Sequence, residues 1–420
     1  MIPNNLRSRL IIIFWAVAAG LALARGFINS LRPERSIDLH VVYSWLRAWL
    51  WLGVNPYYPP PGVIENSPWW TMRANYTPYA IAFLSPLAVI PEKWVTPLWS
   101  VFSVALLIFT ALLAFRLFNP DAPWKNALLP CLIFFAWVGV RVGLSNGQFS
   151  LLMVFFGLLM VAIVDKRPYT GGLLLGLSLI KPHVGIAFFL WALVTRRFKP
   201  AVVAVVVTLL GLAIFSLRIG MAPVLVSVEY IHILRSQFGG ERFAHGVFEL
   251  RPLLHYLIPN FSIAETLNLA IAVGLAGVVG LIAFTTKWVD ARQRDLVILQ
   301  LCCLWGLTAV FHNPYDSILM LPVMFGLYSY VETAPSPAAR RHARIALWVL
   351  QAALLIEVAG RWRAFAKMVD LSAYDWLGTL LSQVDRVLVL GFFIFIAYNT
   401  GLSRRVKRRA ASLRERAAEA

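Results

Sequence analysis

Ten apolar runs, most of them close to the length of a bilayer crossing, constrain this 420-residue chain more than any other feature. A hydrocarbon core of ~30 Å needs about 20 apolar residues per helical span. The runs lie at residues 10–27, 97–117, 127–144, 149–164, 199–218, 264–286, 295–311, 315–331, 344–360 and 386–401. Three are shorter, at 77–91, 170–180 and 183–194, the last two abutting at Lys181-Pro182 as a broken helical hairpin would. Backbone polar groups in lipid must be satisfied within their own segment, so the expected fold is an all-α polytopic membrane protein. Only 14% of residues are charged, the hydrophobic share is 60% and the mean hydropathy is +0.72. A soluble domain carries about 25% charged residues, so a soluble enzyme and a disordered chain are both excluded.

The formal charge of +18 then needs a place. Basic connections occur at the N-terminus, 116–125, 165–167, 196–199, 287–295, 332–344 and in the tail 404–420; together they hold 22 of the 38 Lys and Arg residues. Positive residues mark cytoplasmic loops. The expected topology has twelve crossings in a plasma membrane, both termini cytoplasmic, an uncleaved first span, and 77–91 as a re-entrant segment. The basic residues sit in short loops beside spans, so nucleic acid is not an expected partner, whereas the bilayer is. Cys131, Cys302 and Cys303 fall inside apolar runs and have neither disulfide nor zinc spacing.

One membrane domain, 1–403, is expected, followed by the basic cytoplasmic tail 404–420. The outer face carries the long loops 28–76, 219–263 and 361–385, and chemistry resides on such loops more often than on short turns. In the first, Trp45, Leu46, Trp49 and Leu50 share a helical face, so an amphipathic helix over Val41–Trp51 is expected on the membrane surface. Asp38 stands ahead of it, and an ionisable group at membrane level is a functional candidate. Its alternative is a loop acid that pairs with Arg35 or caps the next helix. Asn146 and Gln148 could hold hydroxyl groups or merely cap the span from Phe149. His312, Asn313, Pro314, Tyr315 and Asp316 form a polar turn that two spans require in any case. The 219–263 loop offers Glu229, His232, Arg235, Glu249, Arg251 and His255, and Trp69, Trp70 and Tyr76 could stack on a sugar or belong to an interfacial aromatic belt.

The order of these elements resembles glycosyltransferase family 87. The residues that carry it are Asp38 after the first span, the turn Gly53 to Tyr57, Tyr76-Thr77-Pro78, Gly147-Gln148, Gly172-Leu-Leu-Leu-Gly176 leading to Lys181-Pro182, and Arg196-Arg197. The resemblance covers roughly residues 8–335 and is to GT-C fold enzymes similar to the polyprenyl-phosphate-mannose-dependent α-mannosyltransferases. It implies a GT-C-like bundle of about twelve transmembrane helices. It further implies inverting transfer of a sugar, mannose by inheritance, from a polyprenyl-phosphate donor to a glycolipid or glycan acceptor on the outer face. Asp38 would be the general base that takes the acceptor proton. Positive charge must meet the departing lipid phosphate, and Lys181, His183, His312 and Arg251 are the candidates, although Lys181 could instead be a snorkelling lysine. Gln148, Asn146, Tyr57, Tyr76 and Asp316 are the candidate sugar and acceptor contacts. Neither a cofactor nor a metal is required. A transporter or flippase is the competing class; its usual inverted repeats are not evident, since one broken hairpin lies in the first half and nothing matches it in the second. A non-catalytic membrane scaffold is the third.

Overall fold

In the computed structural model, helices are the only regular structure among the described residues, which are 4–60, 73–238, 250–258, 260–285, 290–310, 312–334, 336–356, 384 and 386–399. In chain order these are α1 (Asn4–Ser30), α2 (Ile37–Arg47), α3 (Pro78–Leu84), α4 (Glu92–Phe118), α5 (Leu128–Phe135) and α6 (Val138–Asn146). Next come α7 (Ser150–Ile163), α8 (Pro168–Ser178), α9 (Pro182–Val194), α10 (Phe198–Ile219), α11 (Pro223–Phe238) and α12 (Arg251–Leu257). The last are α13 (Phe261–Thr285), α14 (Ala291–Ala309), α15 (Leu321–Thr333), α16 (Pro337–Ile356) and α17 (Arg386–Asn399). Among the described residues, four helices are long and apolar enough to cross a membrane: Arg9–Ser30 of α1, then α4, α10 and α13; a bent pair makes a fifth. The protein is therefore membrane-embedded.

Two expected elements take a different form. The 127–144 run is not one rod: Trp124–Phe135 and Val138–Asn146 meet at 68°. Trp137 at the break has an extended backbone, and its buried indole packs edge-on against Phe134 and donates to Gln351 Oε1 at 2.9 Å. The helix of the first outer loop starts at Ile37, so Asp38 lies in its first turn rather than ahead of it. Nor is that helix a surface element. Apart from the exposed Arg47 and half-buried Ser44, its residues from Leu39 to Trp49 are buried; Tyr43 donates to the Ile90 carbonyl at 2.6 Å and Trp49 stacks on Phe215 at 5.7 Å. The 77–91 run forms only α3 and a 3-10 turn, Ser85–Val89. Twelve helical residues reach about 18 Å, too short to cross alone.

The expected outer loop 219–263 contains α11 and α12. Trp69, Trp70, Glu249, the tail 404–420 and, save for one residue, the 361–385 loop lie outside the described residues.

Small residues set the helix contacts, as they do where apolar burial cannot drive association. A Cβ on Gly172 would stand 2.4 Å from Val203 Cβ, and one on Gly176 2.7 Å from Val207 Cγ1, so α8 lies close on α10 at these two glycines. Gly185 plays the same part between α9 and the end of α8, where an added Cβ would meet the Ser178 carbonyl oxygen at 2.5 Å.

Helices α7, α9 and α14 are joined by an ionic clasp at one end. Arg197, just beyond α9, donates to both oxygens of Asp165 after α7, each at 2.9 Å, and to Asp295 Oδ2 of α14 at 2.7 Å. The guanidinium also lies over Trp191, whose indole donates to the Asp295 carbonyl at 2.8 Å. The basic connections 165–167 and 196–199 and the residues 290–295 meet here, and Arg292 extends the group by donating to the Leu117 carbonyl at 3.1 Å.

Candidate active site

The other end of the same three helices holds most of the polar residues singled out in the sequence. Helix α6 ends there in a Schellman motif: Gly147 N–H donates to the Leu144 carbonyl at 3.1 Å and Gln148 N–H to the Gly143 carbonyl at 3.0 Å. The motif needs a left-handed residue, and Gly147 has φ +66°. A second constraint acts on the same atom, because a Cβ there would lie 2.6 Å from Leu39 Cβ of α2. That close approach brings Gln148 beside Asp38. Gly147→Ala is accordingly expected to cost about 1–3 kcal/mol and to lower the melting temperature of the purified protein, with loss of activity beyond the loss of stability because α2 must back away.

Gln148 bridges two charges. Its amide nitrogen donates to Asp38 Oδ2, and its Oε1 accepts from Lys181 Nζ at 2.9 Å. The Asn146 side chain lies close enough to Asp38 to favour its ionised form. Lys181 precedes Pro182, which bars the helical conformation at Lys181 and leaves it extended at the N-cap of α9. Its ammonium points inward and is 4% exposed; it donates also to Ser150 Oγ at 2.7 Å and to Asp316 Oδ1 at 3.2 Å. Three donors thus meet three acceptors, with the Tyr315 ring 4.6 Å away. A snorkelling lysine would instead reach for water.

Asp316 sits in the 3-10 turn Pro314–Met320 and is fully buried. Oδ1 accepts from Lys181 and Ser150, and Oδ2 accepts from Asn313 N–H at 3.1 Å. His183 Nε2 and His312 Nδ1 stand 3.5 Å and 3.6 Å from Oδ2, beyond hydrogen-bond length. His312 Nε2 lies 3.1 Å from the Gly306 carbonyl, which can only accept, so Nε2 carries a proton. His312 Nδ1 faces the carboxylate without a hydrogen-bond partner. The ligating atoms of His183, His312 and Asp316 all lie within 4.8 Å of one another, and this trio could hold a metal ion.

Burial raises the Asp38 carboxyl above its ordinary value, while the Lys181 charge and the hydrogen bonds from Gln148 and Asn146 oppose the shift. Tyr76 packs between Trp45 and Phe149 within electrostatic reach of Asp38. Of the expected residues, Asp38, Asn146, Gln148, Lys181, His183, His312, Asp316 and Tyr76 come together. Tyr57 lies one step back, fully buried, donating to the Tyr76 carbonyl at 2.6 Å. Arg251 pairs with Glu265 of α13 at 3.7 Å, outside this group. Ser150 was not singled out from the sequence; a serine in the first turn of an apolar span, two residues after Gln148, was the available signal.

A buried carboxylate-amide-ammonium chain at one end of a membrane helix bundle is the outfit of a membrane enzyme rather than of a scaffold. The model of glycosyltransferase family 87 matches residues 75–314, more than half of the chain, and the chain belongs to that family. It is a glycosyltransferase, which decides against the transporter and scaffold classes. No curated protein and no solved structure matches it.

Proposed function

We propose that this glycosyltransferase moves a sugar, mannose in the first instance, from a polyprenyl-phosphate donor to a glycolipid or glycan acceptor, with inversion, at the outer face of the plasma membrane. The observation that supports this most is the chain Asp38–Gln148–Lys181–Asp316. Asp38 is its only partly exposed carboxylate, and it is the group that takes the proton from the acceptor hydroxyl as that oxygen attacks the anomeric carbon. Gln148 and Asn146 orient it. Lys181 supplies a fixed positive charge behind Gln148 and holds Asp38 toward its ionised form. His183 is a quarter exposed and is the imidazole of the cluster that can reach a substrate as a hydrogen-bond partner. The topology that goes with this function has twelve crossings, both termini inside, and the 168–194 hairpin returning to the side from which it entered.

The test offers the purified protein in liposomes a panel of polyprenyl-phosphate and nucleotide sugars. Transfer from the polyprenyl-phosphate sugars alone is expected, undiminished by EDTA. Transfer from a nucleotide sugar alone would overturn the reading, and loss in EDTA would assign His183, His312 and Asp316 to a metal. A base must be ionised to act, and burial raises the Asp38 carboxyl, so kcat/KM should fall as pH drops through a one-proton limb above the ordinary carboxylate value of 3.8.

A further inference from the structure

Helix α1 approaches α6 at Gly26, where an added Cβ would stand 3.2 Å from both the Arg141 carbonyl oxygen and Leu144 Cβ. Arg25, Asn29 and Arg32 follow at i, i+4 and i+7, so one face of α1 and the turn after it point the same way. Arg141 and Ser145 are likewise four apart on α6. Between these faces lies a cavity of about 410 Å³ lined by Arg25, Asn29, Arg32, Arg35, Arg141 and Asn146 among others. Four guanidinium groups line it, and none of the residues that line it is an acid.

We propose that this cavity binds the phosphate group of a lipid substrate beside Asp38, an inference that rests on the glycosyl-transfer function above. The like charges of Arg25, Arg32 and Arg35 around one cavity repel one another, and an anion relieves that repulsion. Guanidinium forks match phosphate oxygens in pairs, which an ammonium cannot do. Lys181 cannot fill the role with its present bonds, since all three of its N–H groups are directed to Gln148, Ser150 and Asp316. Arg25, Arg32 and Arg35 are exposed where the first outer segment leaves the membrane, at the depth where a lipid phosphate travels. Asn146 connects the two places, lining the cavity and lying close to Asp38. A phosphate held here keeps the sugar or the acceptor it carries within reach of the carboxylate.

The phosphate could belong to the donor, a polyprenyl monoester, or to the acceptor, a phosphodiester lipid. Binding to the full-length protein in nanodiscs, read without turnover, separates the two. The probes are polyprenyl phosphate, uncharged polyprenol and phosphatidylglycerol, with inorganic phosphate as competitor. Arg32→Gln and Arg35→Gln, both at exposed positions of the turn, should each weaken polyprenyl phosphate binding by about tenfold and leave polyprenol binding unchanged. The lysine variants should fall between, and added salt should reduce the difference. If phosphatidylglycerol weakens instead, the site serves the acceptor. Unchanged binding of both phospholipids and no competition by inorganic phosphate, in these variants and in Arg141→Gln, would overturn the proposal. Asp38→Asn should keep the phosphate affinity, so failure of this site and failure of the glycosyl-transfer function are told apart.

Discussion

Replacing Asp38 by asparagine should reduce sugar transfer by about 10²–10⁴-fold while leaving expression, membrane insertion and melting close to those of the parent. The change is nearly isosteric, and the asparagine carbonyl can still accept from the Gln148 amide. What is lost is the lone pair basic enough to take a proton from a hydroxyl. Because Asp38 carries burial against the compensating Lys181 charge, removing its negative charge also relieves a desolvation cost, so stability should not fall. The measurement is kcat at saturating donor beside a thermal melt; full turnover in the variant would exclude Asp38 as the base.

Lys181→Met should do the opposite, damaging the fold first. Asp316 is fully buried and Lys181 nearly so, and an ionised group stripped of its partner in such a place costs about 3–5 kcal/mol. Ser150 and the Asn313 N–H would remain on the Asp316 carboxylate, too little to replace an ammonium. Lys181→Met combined with Asp316→Asn removes both charges and should restore much of the melting temperature without restoring transfer, because Gln148 loses its anchor and Asp38 its neighbouring cation. A single Lys181→Met variant that melts with the parent would show that the pair contributes nothing to stability.

The sequence reveals the helical class and the membrane setting directly, since apolar runs leave one local solution. It also reveals most of the polar cluster, because Asp38, Gln148, Lys181 and His312 interrupt or border those runs. What it conceals depends on tertiary packing. The 127–144 run has no Pro or Gly at its break; the bend arises because Trp137 finds Gln351, 214 positions away. Helix α2 has the composition of a surface helix, yet Phe215, Ile90 and Thr96 cover it from elsewhere in the chain. The arginine cavity escapes notice for a related reason. Arg25, Arg32 and Arg35 read singly as the border of a first span, and only their spacing, together with Arg141 more than 100 positions later, assembles a charged face.

The two polar clasps at opposite ends of α7 and α9 have a mechanical consequence. In hydrocarbon, helices with apolar sides can slide along one another at little solvation cost, since lipid tails are as apolar as leucine. Axial register must then come from polar pins. Here Asp165–Arg197–Asp295 pins one end and Gln148/Ser150–Lys181–Asp316 the other. A slip of α7 or α9 by a single turn, about 5.4 Å, would break both sets of bonds at once. These two helices therefore behave as a doubly fastened strut, and any opening that admits a substrate must come from the elements around it.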